Sequence, residues 1–240
     1  MILISYLRIF GHVMWGLYLV TFIFQRKNDV EQQAILKSWS SKLLNIMNIE
    51  LQVHGEIPKN FQSHLIVSNH ISWLDIHVIN SFCPVRFVAK KEVASWPIFG
   101  WYAVRINTLF IDRQKSGHSK DVSEQMAVAL RAGDRLCIFP EGTSSDGLSV
   151  LKFKSTLFQS VIESQCTCLP TAISYIDKKS GELSTATAFI GDMGLLESIN
   201  KTLKNAPLLV QLRIGEPIIG GDSRKDLSDK AWQQIVNLRN

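Results

Sequence analysis

The sequence predicts an α/β fold: a mixed, largely parallel sheet flanked by helices, with an N-terminal membrane-associated helical hairpin. Three observations predict it. From residue 49 onward, short β-branched or apolar runs alternate with helix-period stretches. Several of those runs end in polar or charged residues, at the strand ends where α/β sheets place their ligands. The surplus of apolar sequence is concentrated ahead of residue 25.

Residues 2–24 are nearly all aliphatic or aromatic, broken by Arg8, His12 and the small or polar Ser5, Gly11, Gly16 and Thr21. That is about the length of a spanning helix, and Arg8 lies near enough to one end to snorkel. An ordinary buried core helix is the other reading. No small-residue cleavage site follows, and Arg26-Lys27 at the exit favours a cytoplasmic location for that end. Over residues 29–48, Ile35, Trp39, Leu43, Ile46 and Met47 share one helical face, with Lys37 and Lys42 towards another. Such a helix either lies on a membrane surface or packs on the globular domain. The expected division is residues 1–48 as membrane-associated helices and 49–240 as one α/β domain.

Within that domain the expected strands are 50–54, 65–68, 85–89, 108–111, 136–139, 169–175, 187–190 and 209–214. Expected helices are 73–82, 119–132 closed by Gly133, 154–164, and a C-terminal helix from about residue 227. A chain of 240 residues with 46% hydrophobic content supports one good core with apolar sequence to spare. The net charge of +5 suits an anionic membrane surface or an anionic substrate. The basic residues are scattered and no recognition motif accompanies them, so nucleic acid is not an expected partner. Cys83, Cys137, Cys166 and Cys168 form neither a disulfide framework nor a C-x-x-C pair, as suits reduced thiols in a cytosol-facing domain.

Chemistry collects in three places. The first is Asn69-His70-Ile71-Ser72-Trp73-Leu74-Asp75, directly after the apolar run Leu65-Ile66-Val67. A histidine oriented by an aspartate is a general base suited to neutral pH. The same stretch contains Ser72-x-x-Asp75, a capping box for the helix that follows. Five residues of helix amount to about 140° and 7.5 Å, so the pair meets only if His70 precedes the helix, which the cap predicts. No G-x-S-x-G elbow and no obvious serine or cysteine nucleophile stands beside the pair, so the base has to activate a group that the substrate brings.

The second place is Phe139-Pro140-Glu141-Gly142-Thr143. Proline ends the strand, Glu141 can accept hydrogen bonds from substrate hydroxyls, and Gly142 allows a ligand to approach the backbone. A plain turn with a surface carboxylate is the alternative. The third is Phe110-Ile111-Asp112-Arg113, where Arg113 offers a fork suited to phosphate or simply pairs with Asp112. Lys90-Lys91 closes another apolar run in the same way.

These motifs, followed by Leu169-Pro170-Thr171-Ala172, resemble in order and spacing the four motifs of the glycerolipid acyltransferase family with its NHx4D signature. The resemblance covers roughly residues 50–190, and Val88-Ala-Lys-Lys-Glu92 and Trp96-Pro-Ile-Phe-Gly-Trp101 are similar to the bacterial 1-acylglycerol-3-phosphate acyltransferase branch. It implies that His70, oriented by Asp75, deprotonates a lysolipid hydroxyl, which attacks the thioester of acyl-CoA or acyl carrier protein without an acyl-enzyme. It assigns Arg113, Glu141, Gly142 and Thr143 to acceptor binding, with Lys90 and Lys91 as further cations, and gives Pro170 a part in shaping the acyl site. The implied product is phosphatidic acid from 1-acyl-sn-glycerol-3-phosphate. No metal or bound cofactor is implied, and a monomer at the cytoplasmic membrane, its domain facing the cytoplasm, is expected.

One departure stands out. Family members that use a phosphate acceptor commonly continue Glu-Gly-Thr with Arg-Ser, whereas here Ser144-Ser145-Asp146-Gly147 follows. That run resembles the lyso-ornithine lipid acyltransferase branch, whose acceptor has no phosphate, and it keeps a lyso-ornithine or other lysolipid acceptor open. A thioesterase and a non-catalytic membrane-binding module are the readings from other classes.

Overall fold

The apolar runs pair into one sheet in the computed structural model, which describes residues 2–57, 64–111 and 118–239. Its strands are β1 (Ile49–His54), β2 (His64–Ser68), β3 (Arg86–Lys90), β4 (Leu109–Ile111), β5 (Arg135–Ile138), β6 (Thr167–Asp177), β7 (Leu208–Ile214) and β8 (Ile218–Ile219). They stand in the order β1-β7-β6-β2-β5-β3-β4, with β8 beside the start of β6. From β6 to β4 every neighbour is parallel; β7 runs antiparallel to β6 and carries β1 parallel to itself. The sheet is therefore mixed and largely parallel. All five residues of β2 are buried, as expected of a central strand covered on both faces.

Helices cover the two faces. On one, α2 (Asp29–Ile46), α3 (Asp75–Phe82) and α7 (Leu195–Asn205) bury Leu43, Ile46, Val78, Ile79 and Ile199 against Ile66, Ile173 and Tyr175. On the other, α5 (His118–Arg131), α6 (Gln159–Ser164) and α8 (Arg224–Arg239) bury Met126, Leu130, Val161 and Ile235 against Leu65, Val67 and Ala172. Because side chains alternate along a strand, neighbours in β2 and β6 serve opposite cores.

The N-terminal hairpin starts with α1 (Ile2–Tyr18), which continues through a π turn and a 3-10 turn to Arg26. A reciprocal capping box then opens α2: Glu31 N–H donates to Asn28 Oδ1 (3.0 Å) and Asn28 N–H donates to the Glu31 carboxylate (3.2 Å). Ile9, His12, Gly16 and Val20 are buried, while Leu3, Leu7, Phe10 and Met14 are exposed on another face of the same helix. The buried side is stitched to its neighbours through backbone carbonyls. Trp39 of α2 donates to His12 O (3.3 Å), and Tyr102 of α4 (Phe99–Arg105) donates to Val13 O (2.6 Å). Gly16 makes this approach possible, since a Cβ there would lie 2.6 Å from Trp39 Nε1.

Two expected elements differ. Residues 187–190 form no strand: the segment turns at Thr185–Ala188, and Phe189 N–H donates to the carbonyl of Ile71 (2.9 Å), outside the sheet. The helix expected from residue 73 begins at Asp75, because the Asp75 carboxylate draws the amides of Ile71 and Ser72 into a tight turn ahead of it. The Ser72 hydroxyl caps Leu74 N–H (3.3 Å) inside that turn.

Candidate active site

The carboxyl end of β2 delivers Asn69 and His70 to the edge of the sheet. Asn69 is fully buried and behaves as one more rung of the ladder: its amide donates to Ile173 O (3.0 Å) and its oxygen accepts from Ile173 N–H (2.8 Å). The backbone at His70 is thereby locked to β6. Its N–H donates to Glu141 Oε1 (2.7 Å), and its carbonyl accepts from Ser145 N–H (2.8 Å) and Ser145 Oγ (3.2 Å). The imidazole stacks on Phe139, centroids 4.1 Å apart, and Phe139 stacks in turn on Phe87.

His70 Nδ1 donates to Asp75 Oδ2 at 2.8 Å. The same oxygen accepts from the amides of Ile71 (2.7 Å) and Ser72 (2.9 Å), and Oδ1 accepts from the hydroxyl of Tyr175 (2.9 Å). Four donors thus converge on a carboxylate with no solvent exposure. A carboxylate so surrounded acts only as an acceptor, which puts the imidazole proton on Nδ1 and the lone pair on Nε2. Burial, and after it the Asp75 side chain, raises the Tyr175 phenol well above its ordinary range, so that hydroxyl stays a donor.

Glu141 differs from its expected part in binding substrate hydroxyls. Only 4% exposed, it spends one oxygen on His70 N–H and the other on Leu151 N–H (3.1 Å). It holds His70 in place, and the proline-ended β5 is what aims it inward. Burial pushes its carboxyl up to about 7, against the pull of those two amides. Gly142 follows with a left-handed backbone (φ 76°), and Thr143 is exposed at the turn beyond it.

Pro170 also differs. It is buried within β6 opposite Val67, between the pairing with β8 and the pairing with β7, where a missing N–H costs no ladder bond to either. It does not line the cavity described next. Lys90 and Lys91 stand at the exposed end of β3, with β5 between them and β2. Arg113 lies outside the described residues. Among the described residues no group of three His, Cys, Asp or Glu side chains is placed to hold a metal ion.

Beside this constellation lies an apolar cavity of about 320 Å³, walled by the hairpin, α3 and α4. Trp73, Phe87 and Phe189 form its wall nearest His70: Trp73 belongs to the same turn, Phe87 is reached through Phe139, and Phe189 is docked on Ile71. Val20, Trp39 and Tyr102 line it from the hairpin and α4. His77 also faces it, its imidazole lowered to about 3 by burial and therefore neutral.

Residues missed by sequence reasoning are Tyr175, Ser145 and the bracing role of Asn69. Asn69 carried a signal, standing beside His70 at the strand end; Tyr175 lies one hundred residues from Asp75 and carried none.

Comparison with known proteins bears on this arrangement directly. Residues 50–174 match the family described as Acyltransferase. A lyso-ornithine lipid O-acyltransferase from Pseudomonas aeruginosa is 36% identical over 238 residues, covering 96% of this chain and 90% of that protein. A 1-acyl-sn-glycerol-3-phosphate acyltransferase from Neisseria meningitidis serogroup B is 33% identical over 195 residues, covering 80% of this chain and 76% of its own. In fold, the chain is similar to the crystal structure of the 1-acyl-sn-glycerophosphate (LPA) acyltransferase from Thermotoga maritima. The TM-score is 0.65 at 21% identity, over 97% of this chain and 95% of that one. The match spans both strand ends that build the His70 constellation, and the chain belongs to the acyltransferase family.

Proposed function

We propose that the protein is a lysolipid O-acyltransferase whose general base is His70. The observation that carries this reading is the His70–Asp75 pair, its buried carboxylate braced by three further donors and set beside an apolar cavity. The cavity suits a fatty acyl chain. Nε2 of His70 takes the proton of the lysolipid hydroxyl as its oxygen bonds to the thioester carbonyl carbon. The carbon–sulfur bond then breaks, and the departing thiolate of acyl-CoA or acyl carrier protein receives the proton. Base catalysis of this kind supplies about 10² to 10⁴ in rate, and positioning supplies much of the rest.

Two acceptors have specific support. The ordered motifs support 1-acyl-sn-glycerol-3-phosphate, giving phosphatidic acid. A lyso-ornithine lipid is supported by Ser144, which stands where family members that use a phosphate acceptor commonly carry arginine and which donates its hydroxyl to the carbonyl of Phe189. Acyl transfer by purified protein to each acceptor, with His70→Ala as control, tests both. The variant is expected to lose about 10² to 10⁴ in kcat. Undiminished transfer by it rules out the mechanism, and free fatty acid formed faster than acylated lipid turns the reading towards a thioesterase.

A further inference from the structure

We propose that Arg239 and Asp146 form the headgroup site of the acceptor, a guanidinium and a carboxylate placed to take the zwitterionic headgroup of an amino-acid lipid. The proposal rests on the lysolipid acyltransferase reading and names the acceptor class within it. The last turn of α8 brings Arg239 to the carboxyl end of β6. There Nε donates to Ser174 Oγ (3.3 Å) and Nη2 donates to the carbonyl of Gly147. Two of the five guanidinium N–H groups are spent on these bonds, which fix the plane of the fork and leave N–H groups for a carboxylate.

Asp146 stands one residue away, exposed, with Oδ1 accepting Leu148 N–H (2.9 Å) and Oδ2 left to a ligand. Burial lowers the guanidinium below its ordinary range, and the side chains of Glu141 and Asp146 pull it back up. The pair is tied to the chemistry through one residue: Ser145, next to Asp146, donates twice to the carbonyl of His70. On the other side, Ser144 is fastened to Phe189, whose ring lines the apolar cavity. The segment 144–147 therefore separates a place for a chain from a place for charge.

The sign of that charge discriminates. A phosphate brought to Arg239 also meets Asp146, and like-charge juxtaposition is penalised. A headgroup carrying both a carboxylate and an ammonium satisfies Arg239 with one and Asp146 with the other.

The test is steady-state kinetics of the full-length protein in detergent, at fixed palmitoyl-CoA, with lyso-ornithine lipid and with lysophosphatidate. Wild type is compared with Asp146→Asn, Arg239→Lys and Arg239→Met. Asp146→Asn keeps an oxygen for Leu148 N–H, so the turn survives. It is expected to raise KM for the amino-acid lipid about tenfold and to leave or lower KM for lysophosphatidate. Arg239→Met is expected to raise KM for the amino-acid lipid by at least about tenfold, with Arg239→Lys recovering part of the loss. An amino-acid-lipid KM within about twofold of wild type in Asp146→Asn overturns the proposal while the acyltransferase stands, as does wild-type transfer to lysophosphatidate alone. Wild-type transfer to neither acceptor removes the underlying reading, and the proposal with it.

Discussion

Asp75 collects more hydrogen bonds than any role as a helix cap requires, and the one from Tyr175 is separable from the rest. Tyr175→Phe keeps the buried ring and removes only the donor to Oδ1. Because the bond is to a charged group, kcat is expected to fall about tenfold with KM for the lysolipid nearly unchanged, read from initial rates. Glu141 yields a second expectation with a defined sign. Its folded-state pKa, about 7, lies above the ordinary 4.5, so its contribution to stability is present below about pH 4.5 and lost as pH rises through 7. Glu141→Gln does not titrate, so the difference in melting temperature between wild type and variant is expected to change across that window and flatten on either side. At this scale the sequence revealed what is local. His70 and Asp75 lie five residues apart, and their partnership was readable. The donor from Tyr175 and the brace from Glu141 arise from strand pairing across the sheet, which residue spacing does not encode. Glu141 stood out in Glu-Gly-Thr, but neither its burial nor its two amide partners can be seen there.

At the scale of elements, α1 is apolar on both sides, yet the two sides meet different surroundings. The segment from Ile2 to Arg26 is long and apolar enough to cross a membrane by length and composition. Its inner side, however, is bound to α2 and α4, and α4 is also fastened through Trp101 to Thr21 (3.2 Å) and Arg105 O to Gln25 (2.6 Å). Leu7, Phe10 and Met14 of α1 are exposed, and so are Trp101 and Val104 of α4. An apolar set exposed on one side of a packed helix would suit an interface plane, an expectation that a vesicle experiment tests. Phe10→Glu is expected to lower recovery with sedimented phospholipid vesicles severalfold while leaving the circular-dichroism spectrum unchanged, because the side chain is largely exposed. The hydropathy of residues 2–24 disclosed a helix long and apolar enough to cross a membrane, but not the inner seam, which depends on Gly16 meeting two aromatic rings from distant elements. Residues 187–190 show the reverse case: a β-prone run was drawn out of the sheet by docking on Ile71 and the hydroxyl of Ser144.

Across the whole molecule, the parallel order β6-β2-β5-β3-β4 brings the ends of β2 and β5 side by side, and this adjacency assembles the site. The alternation of strands and helices predicted a mixed sheet; the reversed pair β7 and β1 at its edge was not predictable from periodicity alone. The cavity is shared by the hairpin, α3 and α4, so its shape is a property of their joint packing. Ala103→Leu adds volume to that wall and is expected to shift donor preference towards shorter acyl-CoA chains, measured by competition between donors of different length. The hydrogen bonds from Trp39 and Tyr102 to the carbonyls of α1 have a wider implication. On the proposed function, the hairpin that faces lipid is also a wall of the cavity for the lipid tail, so exchanging this anchor for another would reshape the cavity as well. Address and specificity are then coupled in one element.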